Sequence, residues 1–269
     1  HVAVVRYNGT VKIYINGTAD ASTFATNTNL VGADRLVIGN KPTLNASIGG
    51  FIDDLRIDKD NAKYTANFTV TDNETANEQV NTDDWTNFSK AYVKTYTKIW
   101  SKDYVKSYAK AWSKAYSKDY VKVYHNPYEN FNTTVLMLNG EAPAATDGST
   151  QIIDLSDNGN HVTTCHGSAA ISTDQYKFGA ASLESPASGS SGFTINFSDD
   201  DFNFEEEDFT IEFWMRAPGT NNATILEAYD STDSNAVKWA IRGNATSGAP
   251  ITEILWIEGT TTRITANDN

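Results

Sequence analysis

Disulfides are excluded from the start, because the 269-residue chain carries a single cysteine, Cys165 in VTTCHGS. With no helix start or cationic setting around it, Cys165 reads as a small buried strand residue rather than a reactive thiol. Histidine is also scarce. His1, His125, His161 and His166 lack metal-ligand spacing, and the near-cluster of His161, Cys165 and His166 does not read as a zinc site. No run approaches the roughly 18 apolar residues that a membrane helix needs, and no signal peptide is visible. Cations are few, with 21 Lys and Arg against 34 Asp and Glu and a formal net charge of −13. That balance argues against nucleic acid and against an anionic membrane surface as partners. Nucleophile-elbow, zinc-protease and phosphate-loop motifs are all missing.

What the chain does have is strand and turn. HVAVVRYNGTVKIYINGT alternates from Val2 to Tyr7, turns at Asn8-Gly9, and alternates back from Thr10 to Ile15. Asn-Gly is the dipeptide of a two-residue type I′ hairpin, since both central residues need positive φ. Val11, Ile13 and Ile15 fall on one face of the return strand and Thr10, Lys12 and Tyr14 on the other. Further short strands follow up to about residue 72 and again from about 132 to 269, with Gly, Asn and Asp between them, the pattern of a β-sandwich. Apolar content is low at 39%, yet 31 aromatic residues supply burial area. Asn-x-Ser/Thr occurs ten times, which reflects the composition of turns and strands rather than a glycosylation programme.

The middle of the chain differs. From Lys90 it repeats every four residues, with aromatics at Tyr92, Tyr96, Trp100, Tyr104, Tyr108, Trp112, Tyr116, Tyr120 and Tyr124 and Lys midway between them. On an α-helix, steps of four would spread nine aromatics around about 320° of the circumference, which is no face at all. On a strand, every aromatic and every Lys points to the same side. An extended strap fits better, and roughly 110 Å of it needs partners: copies of itself in a stem, or a solenoid of short turns. A basic spacer without fixed structure is the alternative. Residues 85–125 hold nine Lys and two Asp, near +7, which leaves the rest of the chain near −20. A strap docking on acidic lobes, its own or a neighbour's, follows from that asymmetry. Stacking of single-stranded nucleic acid on the aromatics is disfavoured by the acidic flanks.

STDQYKFGAASLES, DFNFEEEDFTIEFWMRA, HVAVVRYNGTVKIYINGT and GGFIDDLRIDKDNAKYTANFTV resemble signature segments of laminin-G-like, concanavalin-A-like lectin/glucanase domains. The version found in virion structural proteins of marine bacteriophages is the most similar, and similar proteins carry aromatic tetrad tracts. The resemblance implies an all-β, two-sheet antiparallel jelly-roll sandwich, here with its segments in an unusual order. Residues 1–72 resemble the C-terminal half of such a domain, 132–269 the N-terminal half, and 73–131 a linker that holds the tetrads. Three accounts follow: a window of a tandem array, a permuted domain closed within the chain, or copies that lend halves to one another in a head-to-tail polymer. A half-sandwich leaves long unpaired edges, and the array and polymer accounts are favoured over closure within the chain.

Hydrolysis of a glycoside needs two carboxylates about 5 Å apart in one cleft for a retaining mechanism. Asp53 and Asp54 are adjacent and therefore point to opposite faces of a strand, and Glu212 shares its face with Thr210 and Trp214 and no second acid. The acidic run Asp199–Asp208 reads as a solvated turn. The expectation is a non-enzymatic protein. The resemblance implies a possible Ca²⁺ site, for which Asp53, Asp154 and Asp157 are the candidates, although Asp and Asn in such turns also cap backbone amides. Sugar binding is the resemblance's commonest implication, but Trp214, Trp239 and Trp256 sit in strand-like runs and read as core. The function expected is structural: a virion or extracellular fibre protein that pairs strands with other copies of itself, with the strap as assembly element. A monomeric, calcium-assisted adhesin for a cell-surface glycan is the alternative.

Overall fold

Asn8 and Gly9 have φ of 47° and 71°, so the expected hairpin forms between β1 (Val2–Tyr7) and β2 (Thr10–Ile15), with Tyr7 opposite Thr10. The same dipeptide acts again at Asn16 (φ 50°) and Gly17 (φ 79°), which turn β2 into β3 (Thr18–Ala25). The computed structural model describes residues 1–70, 133–141, 143–156, 161–187, 190–198, 200–217, 223–233, 236–245 and 250–267. The aromatic–Lys repeat at 90–124 and Asp157 lie outside these residues.

Twelve more strands complete the structure. They are β4 (Arg35–Ile38), β5 (Gly50–Lys59), β6 (Thr134–Leu138), β7 (Thr163–His166), β8 (Ala170–Ser172) and β9 (Ser182–Ser185). Then come β10 (Gly192–Asn196), β11 (Phe209–Arg216), β12 (Ala223–Asp230), β13 (Ala236–Asn244), β14 (Glu253–Glu258) and β15 (Thr261–Asn267). One sheet has the order β3-β2-β1-β11-β5-β9-β8, with β6 also paired to β5. The other has the order β15-β14-β13-β12-β4-β10-β7. All pairings are antiparallel, no helix occurs among the described residues, and the fold is a two-sheet jelly-roll sandwich.

Strands from the two ends of the chain interleave. β1 lies between β2 and β11, with Val4 opposite Ile211, and β4 lies between β10 and β12, with Leu36 opposite Ile195 and Ala228. The described residues before and after the 71–132 segment thus form one sandwich, and β1 pairs within its own chain. This differs from the pairing between copies that the sequence favours. Loop-closure entropy grows only with the logarithm of length, so a long connector lets the two halves meet within a chain at modest cost.

The layer between the sheets is aromatic. Phe204 stacks on Phe209 at 4.5 Å and on Trp239 at 5.3 Å, and Trp239 stacks on Trp256 at 5.9 Å, both tryptophans being fully buried. These two tryptophans are core residues, as read from the sequence. The outer face of the first sheet is covered too. Tyr64 and Phe68, from the segment after β5, stack at 3.6 Å and pack with Ala3, Val5 and Tyr14. Tyr14 therefore is fully buried on the face that alternation assigns to solvent. The segment is fastened at both ends: Lys63 N donates to Thr210 Oγ1 at 2.8 Å, and Phe68 N donates to the Gly17 carbonyl at 2.9 Å.

One buried cation joins the two halves of the sequence. Arg6 donates to the carbonyls of Glu207 (2.5 Å), Phe204 (2.9 Å), Glu205 (2.8 Å) and Thr28 (3.2 Å), and its guanidinium sits 5.1 Å from the Phe209 ring centroid. Burial lowers its pKa against the pull of nearby carboxylates, Glu258 foremost. All four acceptors are neutral carbonyls, so Arg6 acts as a splice for the 204–207 turn rather than as half of an ion pair.

Candidate functional site

The acids proposed from the sequence for a cation have other occupations. Asp53 stands where β5 bulges against β11: Glu212 faces Arg56 and Trp214 faces Asp53, which leaves Asp54 and Leu55 against Phe213. Asp54 takes the left-handed conformation, φ 51°, to make that bulge, so simple alternation breaks at this dipeptide. The Asp53 carboxylate accepts from the backbone N–H of Lys177 (2.8 Å) and Phe178 (3.0 Å) on one oxygen and of Asp54 (2.9 Å) on the other. It fixes the 175–179 loop to β5.

Burial raises the Asp53 pKa to about 6, with the Asp54 charge adding and the amide hydrogen bonds opposing. The ionised form therefore costs the folded state about 3 kcal/mol. Because the folded-state pKa lies above the unfolded one, this contribution favours folding below about pH 4 and is lost as pH rises through 6. Asp53→Asn should flatten that part of the stability profile. The check is the urea midpoint between pH 4 and 7, and an unchanged slope in the variant would refute Asp53 as its source.

Asp154 is occupied in the same manner. It accepts from Met137 N and Ser156 N at 3.0 Å each, from Ser156 Oγ at 2.8 Å, and shares a 2.9 Å hydrogen bond with His161 Nδ1. Burial would raise its pKa, but the His161 and Ser156 hydrogen bonds hold it below the usual carboxylate value. On its other side His161 meets Asp201, Nε2 to Oδ2 at 3.4 Å. Asp53 and Asp154 thus point at N–H donors in separate loops. No group of three or more His, Cys, Asp or Glu among the described residues could hold a metal ion. The calcium expectation does not fit the described donors, because a hard cation needs several oxygens free of such donors.

Acids do meet on the outer face of the first sheet. Glu212 on β11 accepts from Lys63 Nζ and from Tyr64 Oη (2.6 Å), and His1 Nε2 lies 3.5 Å away. Burial alone would raise the Glu212 pKa, but the donors His1, Lys63 and Tyr64, with the Lys63 charge, hold it at about 2. On β5, Asp58 takes Arg56 Nε at 2.9 Å and Thr134 Oγ1 at 2.6 Å. Glu212 and Asp58 interact electrostatically, so a second acid does stand near Glu212. A reading along one strand misses it, because it comes from the neighbouring strand. Both are buried beneath the 61–68 segment and form a structural polar layer.

The open site is at one end of the sandwich. There β1 begins, β2 ends, β5 begins and β11 ends, against the start of β14, and they bound a cleft of about 870 Å³. Val2, Phe51, Met215, Ala217, Ile251 and Ile254 give it apolar walls. Asn16, Asp174, Gln175, Arg216 and Thr252 give it polar groups. The volume falls in the range of small-molecule sites, and the cleft is open to solvent on one side. Its residues come from six separate stretches of the chain, and although five of them fall in the segments quoted above for their family likeness, no local pattern in the sequence brings them together. Trp214 stands nearby, half-buried, with the Lys177 ammonium 4.3 Å from its ring centroid.

Residues 1–63, which span β1 to β5, match the family model of the concanavalin A-like lectin/glucanases superfamily. No curated protein and no solved structure matches the chain. The match covers less than a quarter of the chain, the first five strands.

Proposed function

We propose that the protein is a non-enzymatic glycan-binding module that works outside the cell, on a virion or an extracellular fibre, with the cleft at the end of the sandwich as its sugar site. The observation that carries this reading is the cleft itself: about 870 Å³ of space with apolar walls for the C–H face of a sugar and amide, hydroxyl and guanidinium groups for its oxygens. The match of residues 1–63 to a lectin and glucanase superfamily supports the ligand class. Asp174 is the single carboxylate among the described lining residues, which supports binding over hydrolysis, since hydrolysis uses a pair.

A glycan array probed with monomeric protein tests this. Saturable binding is expected, weakened about tenfold by Phe51→Ala, since an apolar wall of the cleft is lost. Absence of glycan binding combined with self-assembly would overturn it in favour of a second reading. In that reading the basic repeat at 90–124 docks on the acidic sandwich of another copy, an idea supported by the charge contrast between them. Such assemblies would come apart as salt is raised.

A further inference from the structure

We infer that the cleft selects sugars bearing a carboxylate, uronates in particular, and that Arg216 is the group that reads it; this rests on the glycan reading above. Arg216 ends β11 directly opposite Phe51 on β5, and both residues line the cleft. Its guanidinium is exposed and makes no hydrogen bond or ion pair with the described residues. Arg6 is taken up by four carbonyls, Arg56 by Asp58, Arg242 by Glu227 and Arg263 by Glu258, whereas Arg216, like the exposed Arg35 on β4, has no such partner among the described residues. A second cation stands close by, because Lys177 sits over Trp214, two residues before Arg216 on the same face of β11.

A guanidinium presents a planar fork of N–H donors that matches a carboxylate through two parallel hydrogen bonds. In a protein with a net charge of −13 the overall field repels anionic glycans, so an arginine beside the cleft with no ion pair among the described residues is a local exception to that field. Asn16, Gln175 and Thr252 remain for the hydroxyls of the same sugar. Asp174 works in the opposite direction: it is exposed in the lining and forms no ion pair with Arg216. Its charge sets a limit on how strongly the cleft draws an anion.

Calorimetry on the full chain, with oligomers of galacturonic acid and of galactose matched in length, separates the possibilities. The uronate oligomer should bind about tenfold tighter, the worth of a charged hydrogen-bonded contact. Arg216→Gln should abolish that ratio, Arg216→Lys should restore part of it, and Asp174→Asn should raise it about threefold. Equal affinity of the unaltered protein for both oligomers overturns the inference and leaves the glycan reading standing. A uronate preference that survives Arg216→Gln also overturns it, because the nine lysines of the basic repeat would then hold the anion. Binding of neither oligomer, nor of any glycan on the array, overturns the glycan reading itself.

Discussion

Arg6→Met should cost the protein about 4 kcal/mol and lower its melting temperature by about 10 °C. The methionine fills much of the arginine's volume, so the loss measures the guanidinium rather than a cavity. Four carbonyls at Thr28, Phe204, Glu205 and Glu207 lose their donor, that of Phe204 in a buried position and the other three in part-buried ones that water can partly reach. Each buried acceptor left unsatisfied costs about 1–3 kcal/mol, reduced where the 204–207 turn can relax toward solvent. The same variant reports on how the sandwich is closed, since Arg6 holds residues about 200 positions away, at separations of 201 for Glu207 and 199 for Glu205. Thermal unfolding of a dilute monomer is the measurement. A change under 1 kcal/mol would show that the splice contributes little.

Glu212→Ala should be comparably damaging, by about 3–5 kcal/mol, because it leaves the Lys63 ammonium and the Tyr64 hydroxyl without their acceptor. Lys63 is a quarter exposed, which reduces the loss by letting water reach its charge. Detachment of the 61–68 segment should follow, exposing Tyr14 and Phe68, and faster amide exchange at Phe68 would register it locally. The pH dependence has a definite sign. Glu212 titrates at about 2 in the folded protein, below its ordinary value of 4.5, so its contribution is present above pH 4.5 and lost as pH falls toward 2. Asp53 has the opposite sign, gaining as pH falls from 7 to 4. These two groups together place a stability maximum between about pH 4 and 5, with Asp53→Asn removing its alkaline flank and Glu212→Ala its acid one. A double-mutant cycle with Lys63→Met would separate the pair from the packing.

The parts of this fold that were legible were those set by neighbours in sequence. Asn8-Gly9 demands a two-residue turn whatever surrounds it, and Asn16-Gly17 carried the same signal for β3. Trp239 and Trp256 lie in apolar strand runs, and they stack in the core. What was not legible depends on which strand lies beside which. Tyr14 alternates with core residues and is buried all the same, because a segment nearly fifty residues on lies across it. Asp53 and Asp154 look like loop acids until their N–H donors are seen, the amides of Lys177 and Phe178 for one and Met137 and Ser156 for the other. Pairing within the chain and between copies would use the same strands in the same register, so residues alone do not distinguish them. The cleft follows from topology, since β1, β2, β5, β11 and β14 meet only once both sheets exist.

Interleaving also imposes a timetable on biosynthesis. β4, with fully buried Leu36, Val37 and Ile38, is flanked by β10 and β12, and Asp34 beside it bonds Ser231, 197 residues later. At ribosomal speeds of about 5–20 residues per second, those neighbours emerge roughly 10–40 s after β4 does. For that interval the apolar Leu36, Val37 and Ile38 of β4 wait for the two strands they lie between. The sandwich therefore forms only once residues up to about 230 have emerged, and until then β4 is a natural client of a holding chaperone.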